Sequence, residues 1–325
     1  MLIQLLSLSI LGILPAPADQ GTISSRPAAA VERAATVPAL ERIAVIGASL
    51  SDGFGLDLDV GARTILADIV EATLKSKHDP VASPATGYFF MDPVKSGTDE
   101  IAKAKAKNPT LIVGLDFLFW FGYGFVREES KRTTRFDQGL SLLESFTCPV
   151  LVGDLPDMSQ ALNGKSQMTG GPLLQKEQMP APETLKQMNE RLTAWAAEHP
   201  NVVVVPLARL LARMHAGEEL TLRGRALPKE TAEALFQKDL LHPTLHGSVT
   251  TWLFALDALV HAQPTFPAEA FDWDPAAIAK KVYDAKEPER QARIEKQKKR
   301  AKTAPVSTGS NSSGKPAHDD GDKPH

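Results

Sequence analysis

Two separated stretches of the chain hold residue types that can perform acyl chemistry together. The first is Ile43-Ala44-Val45-Ile46-Gly47-Ala48-Ser49-Leu50-Ser51-Asp52-Gly53, an apolar run that breaks into small residues with a serine at the break. A buried parallel strand reads as a continuous Val/Ile run, and α/β proteins place their chemistry at its carboxyl end. Ser49 therefore falls on the first turn after a strand, at the sheet edge. The second is Asp239-Leu240-Leu241-His242-Pro243, followed by Gly247. A carboxylate three residues before a histidine can bond one ring nitrogen while the other faces a hydroxyl. That is what a serine needs to act as a nucleophile near neutral pH.

Other candidate groups carry weaker readings. His246, with His242 and Asp239, has the residue types of a metal site, but Pro243 and the absence of a nearby glutamate motif argue against one. No cofactor and no metal is expected. Asp154 ends a strand-like run and reads as a turn-forming aspartate or a substrate contact. His78, His199, His215 and His261 fall near helix ends, and Trp195 and Trp252 on helical apolar faces. Phe117 to Phe125 holds six of the chain's twenty aromatic residues. These rings either fill a core beneath a site or line a pocket, and Gly122 and Gly124 predict an irregular turning loop.

The elements that position these residues alternate in type. Strands are predicted at Arg42–Gly47, Thr110–Gly114, Pro149–Gly153 and Val202–Val205. Helices are predicted at Ala62–Leu74, from Ser96 with Thr98 as cap, and at Phe136–Phe146, Ala181–Glu198 and Ser248–Val260. Such alternation argues βαβ units, a parallel sheet and helices on both faces. Asp157–Pro182, rich in Gln, Met, Gly and Pro, is either a lid or a surface insertion. Leu220–Lys238 is placed at a pocket rim.

Composition bounds the partners. A formal charge of −3 over 325 residues gives no reason to expect a nucleic-acid partner. Lys286 to His325 has ten Lys/Arg against six Asp/Glu, so the remainder is net −7 and poorly suited to a polyanionic substrate. Met1–Ala18 is uncharged and ends in Ala16-Pro17-Ala18, the pattern of a secretory signal peptide. A buried or uncleaved segment is the other reading. A secreted or periplasmic location follows from the first, with no stable membrane insertion after cleavage. The lone Cys148 reads as a small buried hydrophobe. Residues 19–38 read as a linker, 39–285 as the domain, 286–302 as a charged helical extension and 303–325 as a disordered tail.

The ordered set of motifs resembles the SGNH hydrolases, the GDSL family. Gly47-Ala48-Ser49-Leu50-Ser51-Asp52-Gly53 is similar to its first block. Ser96-Gly97-Thr98 is similar to the second, a glycine after the second strand, and Gly114-Leu115-Asp116 to the third, Gly-x-Asn-Asp. Asp239, His242, Pro243 and Gly247 match the last. The resemblance spans residues 41–260. It implies a flavodoxin-like three-layer α/β/α sandwich and hydrolysis of acyl esters, lipid or sugar, through an acyl-serine. Ser49 would be the nucleophile, His242 the base and Asp239 its orienting residue. The N–H groups of Ser49 and Gly97 and the Asp116 side chain would form the oxyanion hole. Ala48 stands where the family has aspartate, and Asp116 where it has asparagine. An ionised carboxylate only accepts hydrogen bonds. Asp116 would then be protonated and donating, or turned elsewhere, or the fold would be a weakened enzyme that binds an acylated or glycan ligand.

Overall fold

The computed structural model describes residues 36–303. The expected signal peptide, most of the linker and nearly all of the tail lie outside the described residues. Four short Val/Ile/Leu-rich strands form the centre: β1 (Ile43–Val45), β2 (Leu111–Gly114), β3 (Val150–Gly153) and β4 (Val202–Val205), parallel and side by side in that order. The free edge of β1 takes one more extended piece. Val45 N–H donates to Ala82 O (2.8 Å) and Ala82 N–H to Ile43 O (3.0 Å), a parallel bridge. Counting that piece as the second strand in the chain, the spatial order is 2-1-3-4-5, the flavodoxin-like doubly wound order, with a switch point beside β1.

Side chains alternate across this sheet as strand geometry requires. Ile43, Val45, Leu111, Val113, Leu151, Val203 and Val205 face one core, shared with α1 (Leu56–Val60), α2 (Leu66–Thr73), α7 (Leu207–His215), α9 (Leu245–Ala262) and α10 (Pro275–Thr303). Ala44, Ile46, Ile112, Val150 and Val152 face the other, under α3 (Pro93–Lys105), α4 (Phe119–Gly122), α5 (Glu129–Leu143) and α6 (Pro182–Glu198). The result is the three-layer α/β/α sandwich. A small hairpin, β5 (Thr221–Leu222) with β6 (Arg225–Ala226), and α8 (Ala232–Leu235) lead into the histidine segment.

Local physics moved several boundaries. α3 starts at Pro93 rather than Ser96, because Asp92 caps it by accepting Lys95 N–H (3.1 Å) and proline suits the first turn. Thr98 lies inside the helix and bonds back to Val94 O (2.8 Å). The aromatic segment is not a purely irregular loop, since Phe119–Gly122 makes one helical turn. α10 runs unbroken across the domain boundary expected at residue 285. Ile278, Ala279 and Val282 bury one end of it in the core, and Lys286 bonds Asp68 (3.0 Å).

Asp157–Pro182 is packed, not loose. Met158, Ala161 and Leu174 are buried. The fully buried Arg132 ties the segment to the aromatic turn, donating to the carbonyls of Gly122 (2.9 Å), Gly124 (3.1 Å), Gln178 (3.3 Å) and Met179 (3.3 Å). Tyr123 Oη donates to Pro156 O (2.5 Å). Among the described residues no helix is long and apolar enough to cross a membrane.

Candidate active site

The carboxyl ends of the central strands converge on one small cavity of about 60 Å³. Ser49 follows β1, Asp116 follows β2, Asp154 follows β3, and His242 enters from the turn before α9. All four line the cavity, with apolar walls from Leu115, Phe119, Leu155, Met158 and Leu207. Phe119 belongs to the aromatic segment, whereas Phe117, Phe121 and Tyr123 are fully buried beneath it. Both expectations for that segment therefore hold, for different rings.

Asp239 and His242 form a buried pair. Asp239 Oδ2 lies 3.0 Å from His242 Nδ1, while Oδ1 accepts the N–H groups of Leu241 (3.0 Å) and His242 (2.9 Å). Burial pushes the Asp239 carboxyl upward, but the hydrogen bond and charge of His242, with the two N–H donors, outweigh it and hold the group below the usual carboxylate range. The short turn that achieves this places Leu240 at φ +56°, a left-handed conformation uncommon for leucine. Behind it Gly164 and Gly247 permit close backbone approach. A Cβ at either would lie 1.9 Å from a carbonyl oxygen, of Asp239 and Leu235 respectively.

Two residues that sequence reasoning missed join the histidine to the serine turn. Phe54 stacks on the His242 ring with centroids 4.3 Å apart. Gln237 Nε2 donates both to Phe54 O (2.6 Å) and to Pro243 O (2.9 Å). Gly55, at φ +75°, leaves the room that the Gln237 amide occupies. A glutamine two residues before an Asp-x-x-His motif gives no sequence signal of this kind, since its partners are carbonyls from a remote turn.

The expected oxyanion residues need correction. Gly97 is in the interior of α3, where an added Cβ would meet Leu142 (3.0 Å), Phe121 (3.0 Å) and Phe117 (3.2 Å). It is a packing glycine and does not reach the cavity. The glycine that follows the second, edge strand is Gly87, and its N–H donates to Asp52 Oδ2 (2.9 Å). The prolines at 80 and 84 concealed that strand in the sequence, although edge strands tolerate proline. Asp116 does line the cavity, but its carboxyl is turned into the serine loop. Oδ2 accepts Leu50 N–H (2.8 Å) and Ser51 N–H (3.4 Å), and Oδ1 lies 2.6 Å from Ser51 Oγ. Of the possibilities left open for Asp116, the side chain directed elsewhere is the one observed. The N–H of Ser49 has no acceptor among the described residues.

Asp154 is a turn aspartate, accepting Ala208 N–H (2.7 Å) at the start of α7 while keeping one face on the cavity. His246 opens α9 and lines a separate cavity with Asp274. Among the described residues no cluster of His, Cys, Asp and Glu could hold a metal. His215 stacks on Phe236, centroids 3.7 Å apart, behind a ring that lines the Ser49 cavity, and does not itself line it. Trp252 is in the core as expected, with Nε1 bonded to Thr73 Oγ1 (3.1 Å).

No protein-family model and no curated protein sequence matches the chain. Solved structures do. The structure of TesA aligns with 69% of this chain and 99% of its own, at 14% identity and TM-score 0.40. A lipase/acylhydrolase from Enterococcus faecalis covers 66% of this chain and 94% of its own, at 15% identity and TM-score 0.40. The psychrotrophic esterase EstA from Pseudoalteromonas covers 68% and 96%, at 13% identity and TM-score 0.39. These are proteins that the chain is similar to over about two thirds of its length.

Proposed function

We propose that the protein is an SGNH-type serine hydrolase that cleaves esters through an acyl-serine intermediate. One observation carries this reading: a buried Asp239–His242 pair with its Nε2 edge free opens onto the cavity that also holds Ser49. The imidazole takes the serine proton as Ser49 Oγ attacks the ester carbonyl, then returns it to the departing alcohol. Asp239 fixes Nδ1 as the protonated nitrogen and stabilises the imidazolium. The Ser49 N–H, which no acceptor among the described residues takes up, is the donor assigned to the charge developing on the carbonyl oxygen. Ser49 Oγ and His242 make no hydrogen bond in the structure, and catalytic hydrogen bonds of this kind often tighten only in the complex with substrate.

The cavity's size narrows the substrate. At about 60 Å³ the cavity is well below the roughly 300–1,000 Å³ of pockets for drug-sized ligands, and its walls are mainly apolar. That fits a short acyl group, acetyl above all, with the alcohol portion left outside. A secreted or periplasmic location accompanies this reading and rests on the N-terminal sequence alone.

A series of p-nitrophenyl esters from acetate to dodecanoate tests both parts. The reading expects hydrolysis that falls with chain length and is lost in Ser49→Ala. A preference for long chains would overturn the acyl assignment. Saturable ester binding without turnover would favour a ligand-binding domain that has lost its chemistry.

A further inference from the structure

The loop that carries Ser49 is held by two carboxyl groups, Glu100 buried and Asp116 half-buried at the cavity wall, neither needed by the proton transfers above. Asp116 approaches from the end of β2. Glu100, only 1% exposed, approaches from α3, and its Oε2 accepts Gly47 N–H (2.7 Å). Between them stands Gly47 at φ +137°, where an added Cβ would lie 2.2 Å from Asp116 Oδ1 and 2.7 Å from Ser51 Oγ. The segment from Gly47 to Ser51 thus has its outward N–H groups at 47, 50 and 51 taken by carboxyl oxygens.

We infer that Glu100 and Asp116 are positioning residues for the nucleophile: they hold the Gly47–Ser51 loop from behind, so that Ser49 presents both its hydroxyl and its free N–H to the cavity. In this chain Asp116 shapes the oxyanion site as an acceptor at its back instead of lining it as a donor. The inference rests on Ser49 being the nucleophile.

Hydrogen-bond counting says which protonation state does this. Ser51 Oγ has one proton and two acceptors in reach, Ile46 O at 3.1 Å and Asp116 Oδ1 at 2.6 Å. With Asp116 ionised, Ser51 Oγ donates to Oδ1 and leaves Ile46 O without that proton; with Oδ1 protonated, Asp116 donates to Ser51 Oγ, which then donates to Ile46 O, and both contacts are hydrogen bonds. Glu100 Oε1 is buried with no partner, so an ionised Glu100 would leave negative charge uncompensated. Burial acts in the same direction. It raises the Asp116 carboxyl against the opposing bonds from Ser51, Leu50 and Ala48. It pushes Glu100 up to about 9, helped by the neighbouring Asp116 and opposed by the N–H groups of Gly47 and Thr86.

The charged and titratable groups around the pair are few. Lys103 acts on Glu100 from the exposed face of α3. Asp52, paired with Arg63, belongs to the serine turn, Asp154 and His242 line the cavity, and Asp239 lies behind His242 on its Nδ1 side. As pH rises the pair ionises, the two carboxylates repel, and the loop loses its fixed shape.

The test combines two readouts across pH 5.5–9.5 on the full chain: the rate of Ser49 labelling by a fluorophosphonate, and the melting temperature. The proteins are wild type, Asp116→Ala, Asp116→Asn, Glu100→Gln, Glu100→Leu and Ser49→Ala. Asp116→Ala should label about 100-fold more slowly, the scale of a roughly 1 Å misplacement of a reacting group. Asp116→Asn should recover to within about tenfold of wild type, since its oxygen can accept the two N–H groups and its amide can donate to Ser51. Glu100→Gln should label faster than Glu100→Leu and should flatten the fall in melting temperature that wild type shows from about pH 5 up to about 9, the range in which Glu100 is ionised unfolded and protonated folded. If Asp116→Ala labels at the wild-type rate, or if Glu100→Gln melts with the same pH dependence as wild type, the positioning role is wrong. Wild type that is not labelled at any pH, with the melting profiles as expected, would instead overturn the serine-hydrolase reading and leave the pair as loop anchors only.

Discussion

Replacing Asp239 with asparagine isolates the electrostatic part of the proposed mechanism, because the structure dictates how the amide must sit. Oδ1 of Asp239 accepts two backbone N–H groups, from Leu241 and His242. An asparagine must place its oxygen there, since the NH₂ group would face two donors. Its NH₂ then points at His242 Nδ1, which becomes the acceptor, and the ring proton moves to Nε2. The nitrogen facing the cavity can no longer take a proton from Ser49. The same tautomer reversal in the Ser-His-Asp template costs about 10⁴-fold in kcat, roughly 5.5 kcal/mol at 1.36 kcal/mol per decade. The fold should survive, because both backbone contacts persist. Stability gives a second signature. The folded-state carboxyl lies below its unfolded value, so its contribution is present above about pH 4 and is lost as pH falls through the folded value. The amide does not titrate, so the acid loss of melting temperature should be shallower in the variant. Turnover of p-nitrophenyl acetate and a melting series from pH 3 to 7 read both effects. Turnover by Asp239→Asn within tenfold of wild type would refute the assigned role.

Two further substitutions test the scaffold. Gly47→Ala combines an unfavourable φ with a Cβ placed 2.2 Å from Asp116 Oδ1. It should cost about 3 kcal/mol or more, a melting drop of roughly 6–12 °C for a domain of this size. Calorimetry checks this, and an unshifted melting temperature would show that the loop lies elsewhere. Arg132→Met removes the donor that the carbonyls of Gly122, Gly124, Gln178 and Met179 share. Stranding these buried acceptors should cost about 3 kcal/mol or more, and limited proteolysis should find the first new cuts in residues 157–182. Cleavage there at the wild-type rate would contradict the tie.

The sequence made some of this arrangement legible and concealed the rest for identifiable reasons. The β1 and Asp-x-x-His segments could be read because both signals are local: a continuous apolar strand with a small-residue break, and a carboxylate one turn from an imidazole. The parallel sheet followed from alternating periodicities. The second strand escaped because it is an edge piece bounded by Pro80 and Pro84, and its loss shifted the expected glycine from Gly87 to Gly97. Glu100 escaped because a glutamate on a lysine-rich helix reads as solvated, and only the tertiary fold turns that face of α3 toward Gly47. The Asp116 side chain could be assigned to the site from its place after β2. Its orientation could not, since that depends on N–H groups from another strand's loop. Gln237 and Phe54 belong to the same class, as residues whose partners are remote in sequence.

The central claim is that Ser49 is an activated nucleophile, and covalent trapping tests it most directly. The protein should be incubated with a fluorophosphonate near neutral pH and its mass measured intact and after digestion. The account predicts one phosphonyl adduct per chain, on the peptide containing Ser49, absent from Ser49→Ala and strongly slowed in His242→Ala. An unmodified protein, or an adduct on another residue with Ser49 untouched, would contradict it.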